Sequence, residues 1–165
     1  MAAASIAQAY LYSPLGTIAL QGTEAGLTAL QFLDELRPET PVSALPECLW
    51  EAHRQVAAYF NRELRDFQLV YAVPQGTEFQ RRVWTALSGV GFGRTASYLD
   101  LARQLGNPGA VRAVGAANGQ NPLGLVWPCH RIIGANGQLT GYAGGLWRKK
   151  WLLEFEQPAA QGSLW

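Results

Sequence analysis

Ser97-Tyr98-Leu99-Asp100-Leu101-Ala102-Arg103-Gln104-Leu105-Gly106-Asn107-Pro108-Gly109-Ala110-Val111-Arg112-Ala113-Val114-Gly115-Ala116-Ala117-Asn118 reads as two short helices joined by a tight turn. Ser97 is placed to cap the first helix, with Asp100 at the third position, and Leu101, Ala102 and Leu105 give it an apolar face. Gly106 ends it. Asn107-Pro108 restarts a helix at once, Asn as cap and Pro at the first helical position, where its missing N–H costs nothing. The second helix then runs to about Asn118. This is the sequence form of a helix-turn-helix, and an ordinary helical hairpin packed in a core shares it.

The second helix is built almost wholly of small residues, and Arg112 is its only charged side chain. A helix that reads base edges in the major groove usually carries several long polar side chains. A smooth helix with one arginine suits close approach to a backbone and the narrower minor groove, where sequence readout is poor. It equally suits a helix packed against another helix. The charge distribution leans the same way as the first reading. Residues 1–75 carry four basic and eight acidic side chains, whereas residues 76–165 carry nine basic and four acidic. A polyanion would meet the second half first.

Upstream of the helix pair, Thr77 with Gln80 three residues on forms a capping-box pattern, and Phe79, Val83, Trp84 and Leu87 give the following helix one apolar face. Pro74-Gln75-Gly76 precedes it and closes what reads as a strand and linker over residues 64–75. The chain begins with three β-prone runs, 9–12, 17–20 and 27–32, separated by turn residues at the spacing of an antiparallel meander. A polar, Pro-rich stretch over 37–46 leads to a helix reaching about Glu63, with Leu49, Ala52, Val56, Tyr59 and Phe60 at helical spacing. These patterns divide the chain into an α/β unit over residues 1–75 and a mainly helical unit over residues 76–165.

Downstream lies Val126-Trp127-Pro128-Cys129-His130-Arg131-Ile132-Ile133, with a thiol and an imidazole on neighbouring residues. The thiolate is the nucleophilic form of cysteine, and histidine is the residue that most often removes such a proton near neutral pH. In an extended strand the two side chains would point to opposite faces. Direct contact therefore needs a turn, which Pro128 and Gly134 make available, or a bridging water. Taken alone the dipeptide is weak evidence, because a buried structural cysteine is common.

The whole chain sets wider bounds. A length of 165 residues with 48% hydrophobic and 15% charged side chains describes a globular protein with a real core. The apolar stretches are too short to span a bilayer, and no basic, apolar leader opens the sequence, so a cytoplasmic protein without a membrane partner is expected. Cys48 and Cys129 are far apart and read as two reduced thiols. With His53 and His130 they show no metal-ligand spacing, so no metal site is expected.

From Gly76 onward the sequence closely resembles the methylated-DNA–protein-cysteine methyltransferases, also called O6-alkylguanine-DNA alkyltransferases. The resemblance is carried by residues 76–84, by Ser97-Tyr98 with Leu101-Ala102, and by Gly106-Asn107-Pro108-Gly109-Ala110-Val111-Arg112-Ala113-Val114-Gly115. It continues through Asn121-Pro122, Pro128-Cys129-His130-Arg131-Ile132-Ile133-Gly134, residues 139–146 and residues 149–156. The first 75 residues match only in general form, which permits the ribonuclease-H-like α/β domain of that family, antiparallel strands plus a helix.

The resemblance implies a direct-reversal repair protein that takes the alkyl group of O6-alkylguanine, and of O4-alkylthymine as a further candidate, onto Cys129 after base flipping. The transfer is irreversible and happens once per molecule. It makes His130, acting through a water, the group that draws off the thiol proton, and Glu156 the residue that orients His130. Asn121 would hold the turn between the second helix and the active-site segment, and Tyr98 would donate to the guanine as it leaves. Arg112 would enter the base stack, with Ala113, Gly115, Ser97 and Arg131 also at the DNA. Tyr142, Ala143, Trp127 and Ile132 would line the pocket, with the Ala143 N–H aimed at O6. No cofactor is implied. The partner is double-stranded DNA containing O6-alkylguanine, met by a monomer, with clustering on DNA left open.

Trp127 departs from the aliphatic residue common at its position and puts tolerance of bulky alkyl groups in doubt. Asn118 and Gly124 fall where pocket walls vary. Two other functions compete: a damage-binding module that flips the base without repairing it, against which Cys129 itself argues, and an unrelated Cys-His hydrolase, for which the sequence offers no signature.

Overall fold

The computed structural model describes residues 5–158. The chain separates into two compact units. One holds the residues up to Gln75 together with Pro122–Val126, and the other holds Gly76–Asn121 with the described residues from Trp127 onward.

In the first unit, β1 (Ala7–Ser13), β2 (Gly16–Thr23) and β3 (Gly26–Phe32) form an antiparallel meander in that order, with a register shift at Gln21/Gly22. Thr17, Ile18, Ala19 and Leu20 are all buried, so the central strand is covered on both faces. The free edge of β3 is satisfied by two short pieces of chain. Leu27 exchanges backbone hydrogen bonds with Val70 and Ala72, and Leu30 with Pro122 and Gly124, at 2.9–3.2 Å. The strand read over residues 64–75 is thereby reduced to an isolated bridge at Tyr71. The second piece explains why Pro122–Val126 returns to this unit.

Helix α1 (Trp50–Phe60) stops three residues short of Glu63. Arg62 adopts a left-handed φ of 63°, and the N–H groups of Arg62 and Glu63 turn back to the carbonyls of Tyr59 and Ala58. That pattern is a Schellman stop, which ends a helix by satisfying its last carbonyls. Val56 and Tyr59 of α1 are fully buried with Leu15 and Leu49 in the core of this unit.

In the second unit, α2 (Glu78–Leu87) begins with the expected capping box. Thr77 accepts from the Gln80 N–H at 3.1 Å, and Gln80 accepts from the Thr77 N–H at 2.9 Å. A second capping box, Ser97 with Asp100, starts α3 (Tyr98–Gln104). Between α3 and α4 the chain departs from expectation. Pro108–Ala110 form a 3-10 turn, and α4 spans Val111–Gly119. Asn107 stands at the N-cap with Pro108 at the start of the turn, as expected, but its side chain makes no cap hydrogen bond, and at φ −140° and ψ 82° it lies outside the helical region that the following proline disfavours. Trp84 is the centre of this unit's core. It is almost fully buried and donates its indole N–H to the Ala117 carbonyl at 2.8 Å, tying α2 to α4. Two-residue strands β4 (Ala96–Ser97) and β5 (Ile132–Ile133) pair in parallel, and α5 (Leu146–Phe155) completes the unit.

Gly76 opens the second unit at φ +120°, and a β-carbon there would lie 2.6 Å from the Trp84 ring. Gly76→Ala is therefore expected to destabilise the protein by about 1–3 kcal/mol through overpacking and backbone strain. The check is a lowered urea midpoint at unchanged slope.

Candidate active site

The site is assembled on a sharp bend. Pro128 has φ −79° and ψ 64°, and the Cys129 N–H donates to the Trp127 carbonyl at 2.7 Å. Those values describe an inverse γ-turn, which proline's fixed φ favours. A 3-10 turn over Cys129–Arg131 follows immediately and leads into β5. Side-chain amides from the end of α4 stabilise this irregular backbone. Asn121 donates to the Trp127 carbonyl at 2.8 Å, and Asn118 to the Cys129 carbonyl at 3.3 Å. The Asn121 amide also bonds the thiol of Cys129.

His130 is fully buried, and its Nε2 lies 2.9 Å from Glu156 Oε2 on α5. Burial disfavours the imidazolium and lowers the His130 pKa, against the pull of Glu156. The neutral ring carries its proton on Nε2, toward the carboxylate. Nδ1 is then the basic nitrogen, and it is buried without a protein partner among the described residues. Burial also pushes the Cys129 thiol up, opposed by the Asn121 amide and the Lys149 charge. At rest the pair is thus a neutral thiol beside a neutral imidazole.

Glu156 accepts from His130, from Arg131 and, at 3.5 Å, from the Gly93 N–H. Arg131 grips both of its oxygens, Nε to Oε1 at 2.8 Å and a terminal nitrogen to Oε2 at 2.9 Å, and donates to the Val90 carbonyl at 2.7 Å. Burial alone would raise the Glu156 pKa. The bonds from His130 and Arg131 overcome that and hold it far below the ordinary carboxylate range. This removes Arg131 from the expected DNA contacts: its guanidinium is buried, with the Phe92 ring 5.8 Å away, and committed to Glu156.

The other expected site residues are distributed around this core. Tyr142 has its hydroxyl buried without a partner among the described residues, and the nearby Cys129 contributes to raising its pKa after burial itself. Ala143 is exposed on the adjacent turn. Ile132 is buried in β5, next to the 3-10 turn. The Trp127 ring stacks on Trp84 at 5.7 Å, so its carbonyl is what serves Cys129. Tyr98 donates its hydroxyl to the Thr140 carbonyl at 3.0 Å and lies beside Gly115. Ser97 caps α3 through its side chain. On α4, Arg112 and Ala113 are exposed, as is Ala116 between them and the helix end.

Asn118, expected where pocket walls vary, holds the Cys129 carbonyl with its amide, and Lys149 was not singled out from the sequence. Lys149 is fully buried, yet Lys149, Leu152 and Glu156 fall at the spacing of one helical face. That periodicity was the available signal.

Residues 78–158 match the DNA-binding domain of 6-O-methylguanine DNA methyltransferase, and residues 6–71 match the ribonuclease-like domain of the same proteins. The chain is 48% identical to a methylated-DNA–protein-cysteine methyltransferase of Methanosarcina acetivorans, over 87% of this chain and 94% of that one. This protein belongs to the 6-O-methylguanine DNA methyltransferase family. Among solved structures, the O6-methylguanine methyltransferase of Mycobacterium tuberculosis superposes with a TM-score of 0.80 at 42% identity, covering 93% of each chain. The M. tuberculosis family member in complex with DNA gives 0.79 at 44% identity, over 90% of this chain and 91% of that one. The family's two-domain plan, a ribonuclease-like domain followed by a helical DNA-binding domain, agrees with the expected fold class.

Because the Glu156 pKa is depressed in the folded state, its stabilising effect is complete above the unfolded carboxylate pKa and fades as the pH falls toward the folded value. Glu156→Gln should cost about 3–5 kcal/mol at pH 7, since it leaves Arg131 buried without its counter-charge. It should also flatten the fall in stability below about pH 4.5. Urea unfolding of both proteins across that range checks both effects.

Proposed function

We propose that this protein repairs O6-alkylguanine in double-stranded DNA by moving the alkyl group onto Cys129, once per molecule. The observation that carries the reading is the buried Cys129 thiol set on its γ-turn beside a histidine whose Nδ1 is left basic by the His130–Glu156 bond. The thiol proton passes to His130, through a water on the expected path, and the thiolate attacks the alkyl carbon. The sulfur–carbon bond forms as the carbon–O6 bond breaks, and the electron pair leaves on guanine. Guanine regains a proton equivalent to the one the thiol lost. No group of the site offers a route back from the thioether, so the protein is consumed.

An alkyl carbon on O6 is unreachable inside a stacked duplex, so the base must be extruded at a cost of a few kcal/mol. Arg112 is the one charged side chain of α4 and is exposed, beside the small residues Ala113 and Ala116. We assign it to the gap left by the flipped nucleotide, where its insertion offsets part of the unstacking cost. Gly115 lies beside Tyr98, where an added β-carbon would make ordinary contact at 3.8 Å, and the Ser97 cap fixes the start of α3. Tyr142, Ala143, Trp127 and Ile132 are assigned to the alkyl and purine pocket. The protein acts as a monomer in the cytoplasm, where a single-use thiol stays reduced. Among the described residues no helix is long and apolar enough to cross a membrane.

Incubation with duplex DNA bearing O6-methylguanine should raise the intact mass by one methyl group, mapped to Cys129. Wild-type protein that binds this DNA without gaining the group would overturn the reading. Arg112→Ala should slow repair of the duplex by about 10- to 100-fold while barely changing reaction with a free alkylated base. Equal losses on both would take Arg112 out of base flipping.

A further inference from the structure

The turn that carries Tyr142 and Ala143 is made of backbone with little stiffness of its own. Three of the five residues from Gly141 to Gly145 are glycines, and Gly141 and Gly145 stand at φ 46° and 92°, where larger residues are strained. The buried Tyr142 hydroxyl has no hydrogen-bond partner among the described residues, so it does not anchor the turn. Within the turn, the Gly145 N–H donates to the Tyr142 carbonyl at 2.8 Å. The Gly144 carbonyl is taken by a side chain of α5. Arg148 donates to it from a terminal guanidinium nitrogen at 2.8 Å.

Arg148 is only 3% exposed, although arginine is ordinarily a surface residue. What covers it is Trp147, its neighbour on α5. The Trp147 ring is exposed, and its centroid lies 4.5 Å from the guanidinium carbon, within cation–π range. The same indole lies against Gly145, where an added β-carbon would stand 3.3 Å from Cδ1 and 3.4 Å from Nε1. The indole thus shields a charge-assisted hydrogen bond from water, and such bonds strengthen as the local dielectric falls. The guanidinium is felt at Tyr142 as well. Burial pushes that phenol up, Cys129 adds to the effect, and the Arg148 charge opposes it.

A bulky alkyl group needs the wall formed by Tyr142 and Ala143 to give way. Planar peptides join these residues to Gly144, so the wall cannot move far without carrying Gly144 along. That movement would break the Arg148–Gly144 bond and lift Gly145 off the indole. A methyl group needs no such movement and gains from a turn held still, because the Ala143 N–H expected at O6 keeps its aim. We propose that Arg148 and Trp147 clamp the Tyr142–Gly145 turn and set the size of alkyl group that the pocket admits. Arg148 is the positioning residue and Trp147 its cover. The inference rests on the alkyl-transfer reading above, and it puts the size limit on α5 and not on Trp127, whose ring is stacked on Trp84.

Single-turnover transfer is measured by intact mass on one duplex carrying either O6-methylguanine or O6-benzylguanine. Arg148→Met should slow methyl transfer by about 10-fold, since a small misplacement of a positioning group is enough for that. Benzyl transfer should hold or rise, so the benzyl-to-methyl ratio should climb about 10-fold, a change that general loosening of the fold would not produce. Trp147→Ala should move the ratio in the same direction by about threefold, through loss of the stacking contact. Arg148→Lys keeps a charged donor for the Gly144 carbonyl and should stay within about threefold of the wild-type ratio. A ratio within about twofold of wild type in folded Arg148→Met, or benzyl transfer undetectable in both proteins, would overturn the clamp. If Arg148→Met does not fold, Trp147→Ala decides, and an unmoved ratio there overturns it equally. Wild-type protein that gains no methyl group refutes the repair reading itself, whereas an active wild type with a ratio that neither variant moves refutes only the clamp.

Discussion

The second unit depends on one buried carboxylate. Glu156 sits at the end of α5 and accepts from His130 and Arg131 together, two consecutive residues of the turn that carries Cys129. A carboxylate in such a place would be destabilising alone, and so would the Arg131 guanidinium. Each makes the other tolerable, and the histidine is oriented as a by-product. The Arg131 grip also keeps Glu156 a weak base, so a proton taken by His130 stays on the imidazole instead of passing on to the carboxylate. Orientation of the base and integrity of the fold are therefore the same interaction.

The backbone around Cys129 is held with little regular structure. β4 and β5 contribute two residues each, and the γ-turn and 3-10 turn leave carbonyls that no sheet ladder can satisfy. Asn118 and Asn121, at the end of α4, place amides on those carbonyls. Buried carbonyls need such partners wherever secondary structure fails to provide them. A consequence is that α4, whose exposed face carries Arg112, is tied directly to the loop bearing the nucleophile. Displacement of that helix by DNA would be felt at Cys129 through two side chains.

Much of this was legible in the sequence because it is local. Both capping boxes, Thr77 with Gln80 and Ser97 with Asp100, are decided by residues three apart, and the three-strand meander follows from turn residues at short spacing. Cys129, His130 and Glu156, the proposed nucleophile, base and orienter, came through the motif that carries the family resemblance, and His130 and Glu156 lie 2.9 Å apart. What escaped was long-range or contrary to average behaviour. Nothing local marks residues 70–72 and 122–124 as the pieces that satisfy the edge of β3. Arginine and lysine are among the residues least often buried, so residue type alone hides the burial of Arg131 and Lys149. Asn107 holds the cap position its residue type suggests, but without the side-chain hydrogen bond that usually accompanies it.

Burial of the thiol looks at first like poor design for a nucleophile. Cys129 is only 5% exposed, and its burial favours the unreactive thiol form, whereas Cys48 in the other unit is more accessible. For a protein consumed by a single reaction the balance reverses. Every adventitious alkylation of a freely ionised, exposed thiolate would waste a whole molecule, because nothing restores the cysteine from a thioether. A thiol kept neutral and enclosed, with its proposed base already oriented, is protected at rest. It becomes reactive when the alkylated base fills the site and the charge transfer has somewhere to go. The features that depress its resting reactivity are thus the ones that make a single-use nucleophile selective.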